Sequence, residues 1–252
     1  QSDYVELLCA RLHLLFNPAS DEAKRPDILH IGLGLYALRL CAPTRWETLA
    51  QQLPPAAFMQ LILDQGGIME LFQVLQDAPV EFRAALLAQL DAAQAERLLN
   101  KTISAGRSIG TLNLAMRELN KTDPALLAGL EQAIGAPGWM RLIDANGTLL
   151  ELFHILRHAT PEFRAALLAQ LDAQGAEALI SQTVCAGRAI ESLHWSVRVV
   201  MRDPVLCQQL ERCLGAKAWW RLVLGVGTLN SLRQLSQLMS EALRQEMAAA
   251  AA

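Results

Sequence analysis

The chain of 252 residues is poor in aromatic residues (5%), in charged residues (19%) and in cysteine, of which it has five. Its 15 Gly and 10 Pro are too few for a fibrous protein, and its cysteines are too few for a disulfide-stabilised scaffold. Because hydrophobic residues make up 52% of the chain, it is also too apolar for intrinsic disorder. With these classes excluded, the composition predicts a globular protein that can bury a sizeable core.

The sequence also lacks long apolar runs and an excess of charge. No stretch approaches the roughly 18 apolar residues that cross a bilayer, so we expect no membrane span. The net charge of -3 argues against a nucleic-acid partner. The odd number of scattered cysteines favours a reducing compartment. We therefore expect a cytoplasmic protein, with secretion into a host cell as the alternative.

An internal duplication is the strongest signal in the sequence. Residues 81–92 read EFRAALLAQLDA, and residues 162–173 repeat the same twelve letters. Glycines that we call the marker glycines recur at spacings of 40, 41, 40 and 40 residues. The repeat unit is therefore about 40 residues long, and a pair of units was copied. The marker glycines are Gly66, Gly106, Gly147, Gly187 and Gly227.

Each unit is predicted to hold three helices, because Ala, Leu, Gln and Glu dominate and no strand-like alternation appears. In the clearest copy the first helix runs from Pro124 to Gly135, with Asp123 as its N-cap. The second helix is predicted over 137–145. The marker glycine then breaks the chain, and the third helix is predicted over 148–159.

This period, the helix count and the glycine between helices resemble the armadillo and HEAT families from about residue 43 to the C-terminus. The resemblance implies an all-α, right-handed α-solenoid of about five armadillo-like, three-helix repeats. We assign residues 1–42 to an N-terminal helical cap, 43–247 to the solenoid and 248–252 to an Ala-rich tail. The resemblance also implies that the third helices line a binding groove.

Positions counted after each marker glycine sort the third helix into faces. Offsets two, five, six and nine are mainly apolar and predict the core face. Offsets four, seven and eleven are mainly polar and share one helical face; we call them row four, row seven and row eleven. The candidate partner-binding residues on these rows are Glu70, Gln73, Asn113, Arg117, Glu151, His154, His158, Glu191, His194, Arg198 and Gln234.

Two interpretations of this polar face stay open. It can be the solvated side of an amphipathic helix, or it can be a ladder that binds a protein or peptide segment. Row seven carries amides and imidazoles in all five units, and these groups can both donate to and accept from an extended backbone. We therefore expect a non-catalytic scaffold or adaptor without a cofactor. Its repetitive Ala-, Leu- and Gln-rich composition is typical of a bacterial effector or adaptor.

A metal-dependent enzyme is one alternative. Glu151-x-x-His154 and Glu191-x-x-His194 have the Glu-x-x-His spacing of di-metal sites, and His158 lies one turn beyond His154. Duplication explains the matching pairs without a metal, and packed helices lie about 8–10 Å apart, which is wide for shared ligands. No Walker loop or nucleophile elbow occurs either. The sequence therefore predicts neither a metal site nor an enzyme.

A nucleic-acid-binding repeat protein is the other alternative. Arginines recur at matched offsets and could face phosphates. They occur only in alternate units, and the acidic residues of row four dilute their charge. The arginines concerned are Arg107, Arg117, Arg188 and Arg198.

Overall fold

The computed structural model describes residues 6–7, 10, 28–106, 108–187 and 204–251. Regular structure in these ranges is helical, and no strand occurs in them, which confirms the predicted all-α class. The helices with described bounds are α1 Ile28–Cys41, α2 Pro43–Ala50, α3 Pro55–Gln65, α4 Ile68–Asp77, α5 Val80–Leu87, α6 Ala92–Ser104, α7 Leu112–Thr122, α8 Pro124–Asn146, α9 Leu149–His158, α10 Pro161–Leu168, α11 Ala173–Cys185, α12 Pro204–Val226, α13 Leu229–Ser236 and α14 Glu241–Ala251.

Glycines break the helices where the sequence predicts it. The backbone φ angle is +71° at Gly135 in α8 and +32° at Gly215 in α12. Glycine adopts a positive φ without the steric cost that a Cβ imposes, so each long helix divides into two segments. We call these segments α8a (124–134), α8b (136–146), α12a (204–214) and α12b (216–226).

The three-helix unit predicted from the sequence is present in the described ranges. At the predicted N-cap, Asp123 Oδ1 accepts the backbone N–H of Leu126 at 3.0 Å. Helix α9 agrees with the predicted third helix to within one residue at each end. The first helices are α2, α5, α8a, α10, α12a and α14; the second helices are α3, α6, α8b, α11 and α12b; the third helices are α1, α4, α7, α9 and α13.

Contacts within the chain define two compact units. Unit 1 comprises Gln1–Ala105 and Arg117–Ile134, and unit 2 comprises Gly106–Met116 and Gly135–Ala252. Each unit contains one copy of the duplicated twelve-residue segment. The two copies of the repeat can therefore be compared as separate environments.

Unit 1 is built on contacts between helices of successive repeats. Its third helices α1 and α4 pack together, its second helices α3 and α6 pack together, and α4 also packs on α6. The aromatic ring of Phe58 meets that of Phe82 edge-on, with centroids 5.5 Å apart. Trp46 lies 6.0 Å from the same Phe82 ring. These buried rings join the first and second helices of the unit.

Unit 2 repeats this arrangement. Helix α11 packs on α9 and α12, and α12 packs on α10 and α14. Trp139 takes the place of Phe58 and meets Phe163 nearly edge-on, with centroids 6.3 Å apart. Trp219, at the same position in the last second helix, is also buried. The large residue eight positions before a marker glycine is thus a core residue.

A threonine ties each duplicated second helix to the start of the third helix before it. Thr102 Oγ1 accepts the N–H of Ile68 at 2.8 Å, and Thr183 Oγ1 accepts the N–H of Leu149 at 3.0 Å. Both hydroxyls donate to the carbonyl four residues earlier in their own helices, at 2.9 and 2.6 Å. One side chain therefore satisfies a first-turn N–H that the third helix leaves without a partner.

An arginine closes the other end of the same third helices. Arg83 Nε donates to Ala78 O at 2.6 Å, and Arg164 Nε donates to Ala159 O at 3.0 Å. Each guanidinium also donates to the carbonyl two residues earlier, at 3.0 and 3.4 Å. A cation at these carbonyls also complements the negative end of the helix dipole.

Candidate functional site: the polar rows of the third helices

The structure places the three polar rows in different environments. At offset six, Phe72, Leu112 and Phe153 are buried, as the core-face prediction requires, whereas Arg233 at the same offset in α13 is exposed. On the adjoining face, row four is buried, row seven is half-exposed and row eleven is mixed among the residues that the structure describes. The rows therefore need separate functional assignments.

Row four caps its own helices. Glu70 Oε2 accepts the N–H of Gly67 at 2.8 Å, and Glu151 Oε2 accepts the N–H of Thr148 at 2.9 Å. The Thr148 hydroxyl donates to the same Glu151 oxygen. Ser231 Oγ accepts the N-cap N–H of α13 at 3.1 Å. All three row-four side chains are buried and accept the N–H of their N-cap residue, and with the N-cap threonines Thr148 and Thr228 the side chains of Glu151 and Ser231 complete capping boxes. This placement gives row four a structural role.

The polar face borders the preceding third helix. A Cβ on Gly32 of α1 would lie 2.9 Å from Cδ of Gln73, so α1 approaches the Gln73 side chain closely. In unit 2 a Cβ on Gly110 would lie 3.8 Å from Glu151 Oε1. Row four is therefore not simply solvated, because the side chains of Glu70, Glu151 and Ser231 are buried.

Asp77, the row-eleven residue of α4, is buried and pairs with the partly exposed Arg39. Its Oδ1 lies 2.8 Å from Arg39 Nε, and its carbonyl oxygen accepts the indole N–H of Trp46 at 2.7 Å. Burial raises the pKa of the Asp77 carboxyl, although the charges of Arg39 and Arg83 act in the opposite direction. This position therefore joins α1 and α2 to the end of α4.

The other described row-eleven candidates differ from Asp77 and from each other. His158 is buried at the end of α9, whereas Arg117 is exposed on α7. Arg117 Nε lies 3.2 Å from Oε1 of its neighbour Glu118, which also pairs with Lys121 at 3.5 Å. Row eleven is thus not a uniform row of partner-binding groups.

Row seven keeps one character in every described repeat. Gln73, Asn113, His154 and Gln234 are all half-exposed and all carry an amide or an imidazole. The Asn113 Oδ1 atom is covered, yet it accepts no hydrogen bond within the described ranges. A buried acceptor left in this state costs about 1–3 kcal/mol. Row seven therefore holds partly accessible polar groups, in contrast to the capping carboxylates of row four.

Part of each predicted row lies outside the described residues. This applies to the candidate site residues Glu191, His194 and Arg198, and to the arginines Arg107 and Arg188. Of the proposed arginine row, only Arg117 is described, and it is paired with Glu118.

Exposed apolar side chains form a further surface feature, which the three polar rows do not include. On α1, Leu33 is 58% exposed and Leu40 is 59% exposed, and Tyr36 lies between them on the same face. The guanidinium of Arg39 lies 5.5 Å from the centroid of the Tyr36 ring. Apart from His30 and Arg39, helix α1 is apolar, and this is the sequence signal that could have identified the face.

The described residues contain no candidate metal cluster. No group of three or more His, Cys, Asp or Glu side chains within those ranges could hold a metal ion. Glu151 of the Glu-x-x-His pair caps its helix, and His158 is buried. Among the described helices, none has both the length and the apolar character that crossing a bilayer requires.

Known proteins provide no template for this site. No family model, no curated protein and no solved structure matches the chain. The function of row seven has to be argued from its geometry and chemistry.

Proposed function

We propose that the 40-residue units stack as an armadillo-like α-solenoid of about five repeats, and that the chain is a non-catalytic scaffold. In this proposal an extended segment of another protein lies along row seven. Two sets of observations support it: contacts that join one repeat to the next, and the different exposure of the polar rows.

The repeat-to-repeat contacts support stacking. Thr102 reaches back to the first turn of the preceding third helix at Ile68, and Thr183 reaches back to Leu149 in the same way. The two contacts are 81 residues apart in sequence and lie in different units. The joint between repeats was therefore copied with the sequence, as expected where each repeat packs on its neighbours.

The exposure of row seven carries the functional proposal. Side chains that both donate and accept hydrogen bonds occupy the same half-exposed position in all four described repeats that contain it. Simple solvation does not require this choice, because Lys and Glu satisfy a solvated helix face equally well.

An extended backbone fits this spacing. Packed helices lie about 8–10 Å apart, and an extended chain advances about 3.3 Å per residue. One row-seven side chain would therefore meet about every third residue of a bound segment. Asn113 and His154 belong to successive repeats of unit 2. A short peptide bound along row seven should therefore contact at least these two side chains.

A peptide-display selection tests the proposal. The immobilised protein is used to select peptides, and the Kd of the best one is measured by fluorescence anisotropy. The variant Asn113→Ala/His154→Ala/Gln234→Ala should bind it at least about tenfold more weakly. Its Tm should stay within about 2 °C of the parent value, because all three side chains are only partly buried and lie outside the apolar core face.

Glu151→Ala is the matched control, because it removes a polar side chain of the same third helix that is committed to a cap. It should lower Tm and leave the Kd of the folded protein unchanged. Equal binding by the triple variant, or a selection that yields no peptide, would contradict the proposal.

A further inference from the structure

Helix α1 fits the repeat numbering that the marker glycines define. Residue 26 lies 40 residues before Gly66. Counted from it, Ile28, Ile31 and Leu35 fall at offsets two, five and nine, and all three are buried. These are core offsets of the later third helices, so α1 turns the same face to the core.

The exposed apolar side chains of α1 consequently lie on the face of row seven. Leu33 falls at offset seven, Tyr36 at offset ten and Leu40 at offset fourteen, and side chains at these spacings share one face of a helix. Along the helix axis they span about 10 Å, since each residue advances about 1.5 Å. We call these three residues the apolar stripe. It stands where the later third helices carry amides and imidazoles at offset seven.

Offset fourteen stays open even in a repeat that has neighbours on both sides. Val80 occupies this offset at the start of α5 and is 55% exposed, much like its counterpart in α1. On one side of α5, Phe82 meets the ring of Trp46 in the preceding repeat. On the other side, a Cβ on Gly129 of α8a would lie 2.8 Å from Leu87 Cδ2. Packing of adjacent repeats therefore does not cover this position.

The face on which repeats stack behaves differently. Leu224, three residues before the marker glycine of α12b, is 78% exposed. At the same position in α3, Leu63 is buried, and the next second helix α6 packs on α3. Exposure of that position depends on whether another second helix packs there, whereas exposure at offset fourteen does not. The apolar stripe therefore belongs to the open face of the third helices and not to a joint between repeats.

A buried carboxylate holds the aromatic ring of the stripe in place. The guanidinium of Arg39 lies 5.5 Å from the centroid of the Tyr36 ring, and Arg39 Nε lies 2.8 Å from Oδ1 of the buried Asp77. A side chain that is fixed before binding loses little conformational entropy when a ligand contacts it. Aromatic side chains are also common anchors of protein interfaces. Tyr36 is thus an exposed ring prepared for contact.

Row seven of α4 adjoins the stripe. A Cβ on Gly32 would lie 2.9 Å from Cδ of Gln73, so the Gln73 amide lies directly against α1. An amide can bind the backbone of a segment, and the backbone is the same for every sequence. Selectivity over unit 1 therefore falls to the neighbouring exposed side chains, which are apolar on α1 and at Val80.

We propose that the segment bound along row seven carries large apolar side chains where it crosses unit 1, and that Tyr36, Leu40 and Val80 receive them. This inference rests on the proposed function. Helices α1 and α4 pack together, and packed helices lie about 8–10 Å apart. Two apolar residues about three positions apart in an extended segment therefore reach both repeats. Burial of apolar surface on both partners drives the contact, and a charged residue at these positions would lose hydration there.

Parallel peptide-display selections test the inference. One random library is selected on the full-length parent protein and on the Tyr36→Ser/Leu40→Ser variant, and the enriched peptides are sequenced. Pairs of Leu, Ile, Phe or Met about three positions apart should be enriched on the parent and not on the variant. Because both substituted side chains are exposed, the Tm of the variant should stay within about 2 °C of the parent value.

Fluorescence anisotropy then measures the best parent-selected peptide. Its Kd should rise at least about tenfold for Tyr36→Ser/Leu40→Ser. A peptide in which Glu replaces the apolar pair should bind Leu40→Lys at least about fivefold more tightly than it binds the parent. This reversal of preference is not expected from a purely structural effect. Leu224→Ser is the matched control, because it changes an exposed leucine of unit 2, and it should leave the Kd unchanged.

The variant Asn113→Ala/His154→Ala/Gln234→Ala separates this inference from the proposed function. Suppose that selected peptides lose affinity in that variant but contain no apolar pair, or bind Tyr36→Ser/Leu40→Ser with the parent Kd. The inference is then wrong and peptide binding along row seven stands. A selection that yields no peptide overturns both. Sedimentation of the protein alone is the last test, because a dimer that Tyr36→Ser/Leu40→Ser abolishes would assign the stripe to a second copy of the chain.

Discussion

The two copies of the repeat pair, one in each unit, differ in an ordered way. Contacts that satisfy backbone groups are the same in both: Thr102 corresponds to Thr183, and Arg83 corresponds to Arg164. Contacts between side-chain charges are not. At the matched row-eleven position, α4 of unit 1 has Asp77, which pairs with Arg39, and α9 of unit 2 has His158.

This difference separates structural from adaptable positions. A helix end leaves first-turn N–H groups and last-turn carbonyls without partners, and a buried polar group without a partner is costly. The side chains that meet this need cannot vary without a loss of stability. Row seven varies in residue identity among Gln, Asn and His, and within the described ranges the Oδ1 atom of Asn113 accepts no backbone N–H. It is the position at which repeats can adapt to a ligand.

The largest expected effect tests whether the two aromatic cores are equivalent. Trp139→Ala and Phe58→Ala each remove a fully buried ring, so each should lower the free energy of unfolding by about 3–5 kcal/mol in urea titrations. Trp139→Phe is the matched control, because it restores the Phe58–Phe82 type of pair and should cost much less. A loss below about 1 kcal/mol at either position would show that the cores are not equivalent.

The threonine joints should give the next largest effect. Thr102→Val and Thr183→Val keep the side-chain volume but leave the N–H of Ile68 or of Leu149 without its acceptor. Each should lower the free energy of unfolding by about 1–3 kcal/mol. Thr→Ser at both positions keeps the hydroxyl and should retain most of the stability. Clearly unequal losses in the two valine variants would show that the joint was copied in sequence but not in energetic importance.

Much of the fold was predictable from local sequence signals. Gly135 required a break because a positive φ favours glycine, and Asp123 before Pro124 predicted a helix start. The core face followed from periodicity, as the buried Phe153 shows. These signals act within one helix, so the sequence alone reveals them.

The candidate site was only partly predictable. The polar pattern predicts row four as a partner-binding row, although Thr148-x-x-Glu151 is a capping-box pattern that the sequence contains. Periodicity identifies a polar face, but it cannot show that a neighbouring helix covers that face, as α1 does at Gln73. The exposed Leu224 was missed for the same reason, because its exposure depends on which helix follows in space.

The smallest expected effect concerns the charge that differs between the two copies. Burial raises the folded-state pKa of Asp77 above its ordinary value of 3.8, so the folded state binds the proton more tightly than the unfolded state. The contribution of this group to stability is therefore greatest below the unfolded-state pKa and falls as pH rises through the folded-state pKa. Asp77→Asn does not titrate at this position.

The stability of Asp77→Asn relative to the parent should consequently increase as pH rises through that window, measured by urea unfolding at a series of pH values. Arg39→Gln in the Asp77→Asn background is the control, because it separates loss of the ion pair from loss of the carboxyl. The positive charges of Arg39 and Arg83 lower the pKa of Asp77, whereas burial raises it. The sign of the change in relative stability with pH therefore shows which of the two influences is stronger. A relative stability that decreases with pH would mean that ion pairing outweighs burial and that this network stabilises unit 1 mainly as a carboxylate.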